Sequence, residues 1–123
     1  MDKFNLQLDY YGVLNLHKAL LEAKFNINPD NELVSGSPFV ADIYIQIREF
    51  LIKSEKADQW KEWFLLQNRP DYRERAIMRM KKCGRWEKIT FEEKKKVAAD
   101  FLAPFLYDET ELNGVIAKVE QSI

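Results

Sequence analysis

Apolar residues recur along this chain at steps of three and four, and little interrupts them. Val40, Tyr44, Ile47 and Leu51 share one helical face, with Ile43 and Phe50 widening it. Leu14, His17, Leu21 and Phe25 repeat the spacing earlier, with Leu20 beside them and Gly12 weakening the first turn. Only four Gly and four Pro occur in 123 residues, so breaks are few, and the breaks fall between the periodic stretches. A chain punctuated in this way is constrained to short helices joined by short connections.

The punctuation carries its own chemistry. Ser37-Pro38 reads as an N-cap hydroxyl followed by proline at the first helical position, where no N–H is needed. Thr90-Phe91-Glu92-Glu93 spells a capping box, and Asp108-Glu109-Thr110-Glu111 a second box-like start. Gly84 is placed to end a helix from Pro70 to Cys83 whose apolar arc is Tyr72, Ala76, Ile77, Met80 and Cys83. Ala103-Pro104 should kink or end a helix that turns Val97, Ala98, Phe101 and Leu102 inward. Between these lie a helix over Glu55–Gln67 carrying Trp60, Trp63 and Phe64, and a final one through Leu112, Val115, Ile116, Val119 and Ile123. Asn28-Pro29-Asp30-Asn31 is turn chemistry within the longest loop, Asn26 to Ser37.

The expected fold is therefore all-α: one domain over residues 1–123, a bundle of about five to six short helices. An α+β alternative would use strands at residues 4–8, where Phe4, Leu6 and Leu8 alternate with polar residues, or around Ile43–Ile47. No stretch approaches the ~20 apolar residues of a membrane span, and the first residues lack a signal-peptide pattern. A lone Cys83 excludes an internal disulfide framework and fits a reducing cytoplasm. No membrane partner is expected.

Catalytic constellations are hard to assemble from these residues. His17 is the sole histidine and lies on an apolar face, which suits a structural ring better than a catalytic or metal-bound one. Pro70-Asp71 followed by Glu92-Glu93-Lys94 can be spelled as the motif of metal-dependent nucleases, but both pieces fall at helix starts, where acids favour the dipole or complete a cap. Gly36 opens no phosphate loop, since no Lys-Ser/Thr ending follows. The chain reads as a non-enzyme, with no catalytic residue, cofactor or metal.

Charge is distributed unevenly. Residues 67–96 hold eleven Lys/Arg against five Asp/Glu, while residues 1–66 and 97–123 are net acidic, by three and four charges. Such segregation suits charge-steered binding. On the basic stretch, Arg75, Arg79 and Lys82 lie opposite the apolar arc of their helix, flanked by Arg69, Arg73, Lys81 and Arg85 and followed by Trp86. Lys94, Lys95 and Lys96 form a second patch. This face has three readings: a solvated helix surface, a contact for an acidic protein, or a nucleic-acid face on which Trp86 stacks a base. Interleaved Glu74, Glu87, Glu92 and Glu93, and a pI near 5.9, weigh against the last. On the acidic side, Asp30 and Glu32 with Asp108, Glu109 and Glu111 either complement helix starts or make a negative patch that mimics phosphate against a cationic partner.

Leu16-His17-Lys18-Ala19-Leu20-Leu21-Glu22-Ala23, a polar loop, and Gly36-Ser37-Pro38 opening an amphipathic helix resemble the layout of small immunity proteins of bacterial contact-dependent inhibition and polymorphic toxin systems. The resemblance covers residues 9–53 and rests on layout, so no functional residue is carried over by position. It implies a cytosolic protein that binds one cognate toxin domain, often a nuclease, and covers its active site. The expected contacts are then Asp30, Glu32, Asp108, Glu109 and Glu111, with Trp60 or Trp63 as an aromatic anchor. The basic segment departs from a purely acidic nuclease mimic. The alternative is a small nucleic-acid-binding or regulatory domain using Arg75, Arg79, Lys82 and Trp86; an adaptor role on the same surface is a third reading.

Overall fold

In a computed structural model, residues 2–26 and 32–121 are described, with the side chains of Glu32 and Leu33 left aside. Among the described residues, seven α-helices follow one another: α1 Tyr10–Phe25, α2 Glu32–Ser35, α3 Pro38–Leu51, α4 Ala57–Trp63, α5 Pro70–Lys81, α6 Phe91–Leu102 and α7 Glu109–Glu120. Two 3₁₀ turns, Leu66–Asn68 and Trp86–Lys88, join them. Among the described residues no strand forms, so the fold is all-α. No helix of these residues is long and apolar enough to cross a membrane.

The sequence signals act where their chemistry placed them. Ser37 Oγ accepts from Val40 N at 3.2 Å, with Pro38 at the first position of α3. Thr90 and Glu93 make the reciprocal bonds of a capping box, each 3.2 Å long. Asp9 caps α1 through Gly12 N at 2.9 Å, and Asp108 caps α7 through Glu111 N at 2.8 Å. The α6 helix stops before Ala103-Pro104, as proline requires.

Other boundaries moved. The helix expected over Glu55–Gln67 is cut to α4 because the chain after it pairs elsewhere. Leu66 N donates to Leu106 O at 2.9 Å and Leu106 N to Phe64 O at 2.8 Å, an isolated parallel bridge that pulls Leu65 out of helical geometry. The expected long loop contains α2. Gly84 does not close α5 in a left-handed conformation, since no glycine has positive φ; Lys82 ends that helix in ordinary αR geometry. Residues 4–8 form neither helix nor strand, and Ile43–Ile47 is helical.

Two apolar clusters form the interior. The larger packs Phe25 with Leu66, Ile77, Met80, Trp86, Leu102, Phe105 and the inner face of α7. The smaller joins Val13, Tyr44, Ile47, Leu51 and Phe64. Leu21 and Trp63 touch both and make them one continuous core. α1 buries Val13, His17, Lys24 and Phe25 rather than Leu14, and Ile43 and Phe50 of α3 face out instead of widening the buried stripe.

Candidate functional site

The outer face of α1 and α3 is where this fold departs most from ordinary burial. Phe39, Ile43 and Phe50 repeat along α3 at helical spacing and are held in solvent, Phe39 at 80 % exposure. Tyr11 of α1 adds another exposed ring. Before α1, the leading residues carry Phe4, Leu6 and Leu8, also exposed. A groove of about 570 Å³ lies between that segment and Val13, Leu16, Ile43, Ile47 and Phe50. A second, of about 520 Å³, runs from Tyr10, Tyr11 and Leu14 to Phe50 and Ser54. Seven of the nine exposed large apolar side chains described fall on this side, so the surface is a concentrated patch and not a scatter of single residues.

Sequence reasoning assigned Ile43 and Phe50 to the core, although their spacing was legible. What betrayed the patch was excess: α3 has apolar residues on both sides of its buried arc, more than one interior can take up.

Of the acids expected to meet a partner, two are engaged within the chain. Asp108 is the α7 cap, and Glu109 Oε1 accepts from Lys95 Nζ at 2.6 Å. Glu111 is half-buried in the first turn of α7. Asp30 and the Glu32 side chain lie outside the described residues. The α2 helix packs on α1 and α5, whereas α7 packs on α5 and α6.

Trp60 and Trp63 are half-buried around His17. Their ring centroids lie 5.3 and 4.9 Å from the imidazole, with Tyr44 at 5.5 Å and Phe64 at 5.6 Å, all edge-on. Tyr44 Oη lies 2.7 Å from His17 Nδ1 and 3.2 Å from His17 O. Both contacts are satisfied when Nδ1–H donates to Oη and Oη–H donates to the carbonyl. Burial, with the nearby Lys18 charge, lowers the imidazole pKa to about 4, so His17 is a neutral structural ring. Burial likewise raises the Tyr44 phenol.

The basic face is corrected in three places. Trp86 is 2 % exposed and packed in the larger cluster, with Lys94 Nζ 5.5 Å from its ring centroid, so it cannot stack a base. Arg79 is buried at 6 %, not solvated. Arg75 Nη1 donates to Phe25 O, the last carbonyl of α1, at 3.0 Å, and its guanidinium lies 5.3 Å from the Tyr72 ring centroid. Arg69 Nε similarly donates to Trp63 O at the end of α4. Lys94 pairs with Glu120 and Lys95 with Glu109. Lys82, Arg85, Lys88 and Lys96 remain at the surface. Asp71 stands in the first turn of α5 and Glu93 caps α6, as their positions at helix starts implied.

Sequence reasoning gave no hint of buried Lys24. Its Nζ donates to Asp100 O at 2.7 Å and Phe101 O at 3.1 Å, in the last turn of α6, where the helix dipole favours a cation. Burial nonetheless lowers its pKa to about 7, the Asp100 carboxylate opposing and Arg79 adding to the shift. Comparison with family models, curated proteins and solved structures returns no match.

Proposed function

We propose that this chain is a non-enzymatic protein-binding module whose partner is a cognate toxin domain, held on the apolar outer face of α1 and α3. The observation that supports it is the stripe Phe39, Ile43 and Phe50, fixed on a capped helix and open to solvent beside Tyr11. Rigid, exposed apolar anchors lose little conformational freedom when covered and supply most of the energy of a protein interface. Of the acids the sequence offered for the same role, Asp108 caps α7 and Glu109 pairs with Lys95, and the apolar stripe is the anchor that stays open. The toxin class rests on the layout shared with immunity proteins over residues 9–53, and neutralisation in the cytoplasm by covering the toxin's active site is part of that reading.

The test is a nuclease-treated pull-down from the native host, with the parent chain and a Phe39→Ser/Ile43→Ser variant run in parallel. One protein retained at near-equal amount by the parent, lost with the variant, and toxic when expressed without the chain is the expected result. Retention that is indifferent to the variant refutes the surface. A retained protein with no toxicity refutes the toxin class.

A further inference from the structure

Residues 2–8 form neither helix nor strand and make no hydrogen bond among the described residues, and they lead into Asp9, whose own backbone is extended. In sequence they alternate as in a half-covered strand, with apolar Phe4, Leu6 and Leu8 set between polar Lys3, Asn5, Gln7 and Asp9. The end of the segment is pinned. Asp9 Oδ1 holds Gly12 N, and the missing Cβ of Gly12 lets Leu8 come close: a Cβ there would lie 3.1 Å from both Leu8 Cβ and Leu8 Cδ2. The apolar residues border the groove over α1 and α3 yet stay largely exposed, Phe4 at 89 %. An anchored segment with open backbone, strand-like alternation and uncovered apolar side chains can take up a second strand.

We infer that residues 3–9 pair antiparallel with the same residues of a second copy, about a twofold axis at Leu6, forming a homodimer. The charge pattern selects this occupant. In that register Phe4 faces Leu8 of the other copy, Asn5 faces Gln7, and Leu6 faces itself. Lys3 then faces Asp9, so each end of the ribbon joins opposite charges. Neither Lys3 nor the second oxygen of Asp9 has another partner among the described residues. The sequence 3–9 is therefore complementary to its own reverse in polarity and in charge. A two-stranded ribbon is marginal by itself, but here Phe4, Leu6 and Leu8 line the same groove as Ile43, Ile47 and Phe50, which would supply the packing layer it needs. The arrangement is isologous and closes at two copies.

The inference does not rest on the toxin reading, since a dimer and a foreign partner are observed separately. Sedimentation equilibrium of the purified chain measures the first. A concentration-dependent dimer is expected, and its dissociation constant should rise about ten-fold in Lys3→Asp, where like charges meet at both ends. Register is read by oxidation in a Cys83→Ala background. Leu6→Cys places two thiols across the axis at about 5 Å between Cα atoms, within disulfide reach, whereas Asn5→Cys or Gln7→Cys alone sets them two residues out of register. Circular dichroism confirms that each variant is folded. Cross-linking of Leu6→Cys well above both neighbours supports the pairing. A monomer at about 0.5 mM, enough to populate even a millimolar-affinity contact, overturns it. So does equal cross-linking at all three positions, or a dimer indifferent to Lys3→Asp.

Discussion

Protonating His17 should unfold this protein from within. The ring is 3 % exposed and sits among Tyr44, Trp60, Trp63 and Phe64, with a pKa of about 4 against 6.5 when free. Above pH 6.5 the imidazole is neutral whether the chain is folded or not, so it adds no pH dependence. Below that the unfolded chain takes up a proton which the folded chain refuses, and stability falls until the folded pKa is reached. The interval of about 2.5 pH units, at 1.36 kcal/mol each, sets the loss at about 3 kcal/mol, a large part of a small domain's stability. Urea unfolding followed by tryptophan fluorescence measures it directly. Because carboxylates also titrate in acid, the decisive quantity is the difference between the parent and His17→Gln, which keeps a hydrogen-bonding side chain without the titration. Between about pH 7 and about pH 4.5 the parent should lose roughly 2.5 kcal/mol more than the variant. Equal slopes, or a native imidazole that titrates near 6.5 by NMR, would refute the reasoning.

Three further outcomes follow from other sites. Lys24 should make stability rise with pH from about 7 to 10.5, because the unfolded ammonium holds its proton where the buried one releases it; the rise, up to about 5 kcal/mol, should be missing from Lys24→Met in the same urea titration. Gly36→Ala puts a Cβ 2.6 Å from Phe101 Cζ and should cost about 1–3 kcal/mol in thermal or urea unfolding, with Phe101→Leu in the same chain recovering part of it. Thr90→Ala removes one bond of the α6 capping box and should cost about 1 kcal/mol, whereas Phe91→Ala next to it, half exposed, should stay within about 0.5 kcal/mol of the parent apart from its helix propensity.

What could be read from the sequence was local. Ser37, Thr90 and Asp108 cap helices with their own neighbours, so three or four residues suffice to recognise them. The end of α4 could not be seen in this way, because it is set by hydrogen bonds with Leu106, some forty positions on. The basic stretch misled for the same reason. Charge alone does not tell whether an arginine meets water or a carbonyl of a distant helix, and Arg75 and Arg79 look alike to any local rule. The exposed stripe on α3 was misassigned because periodicity marks a face as apolar without saying that a second element covers it. Trp86 went the other way: following a run of cations suggested the surface, while its size claimed a place in the core.

The cations that reach distant carbonyls also shape how the chain must fold. Lys24 reaches Asp100 and Phe101, Arg48 reaches Pro104, and Arg75 reaches Phe25, each joining positions fifty or more residues apart. The closing turns of α1 and α6 are thus completed by residues that arrive only when the whole chain has come together. A helical bundle usually assembles from near neighbours and does so quickly; these bonds add loop closures that near neighbours do not supply, and they should form late.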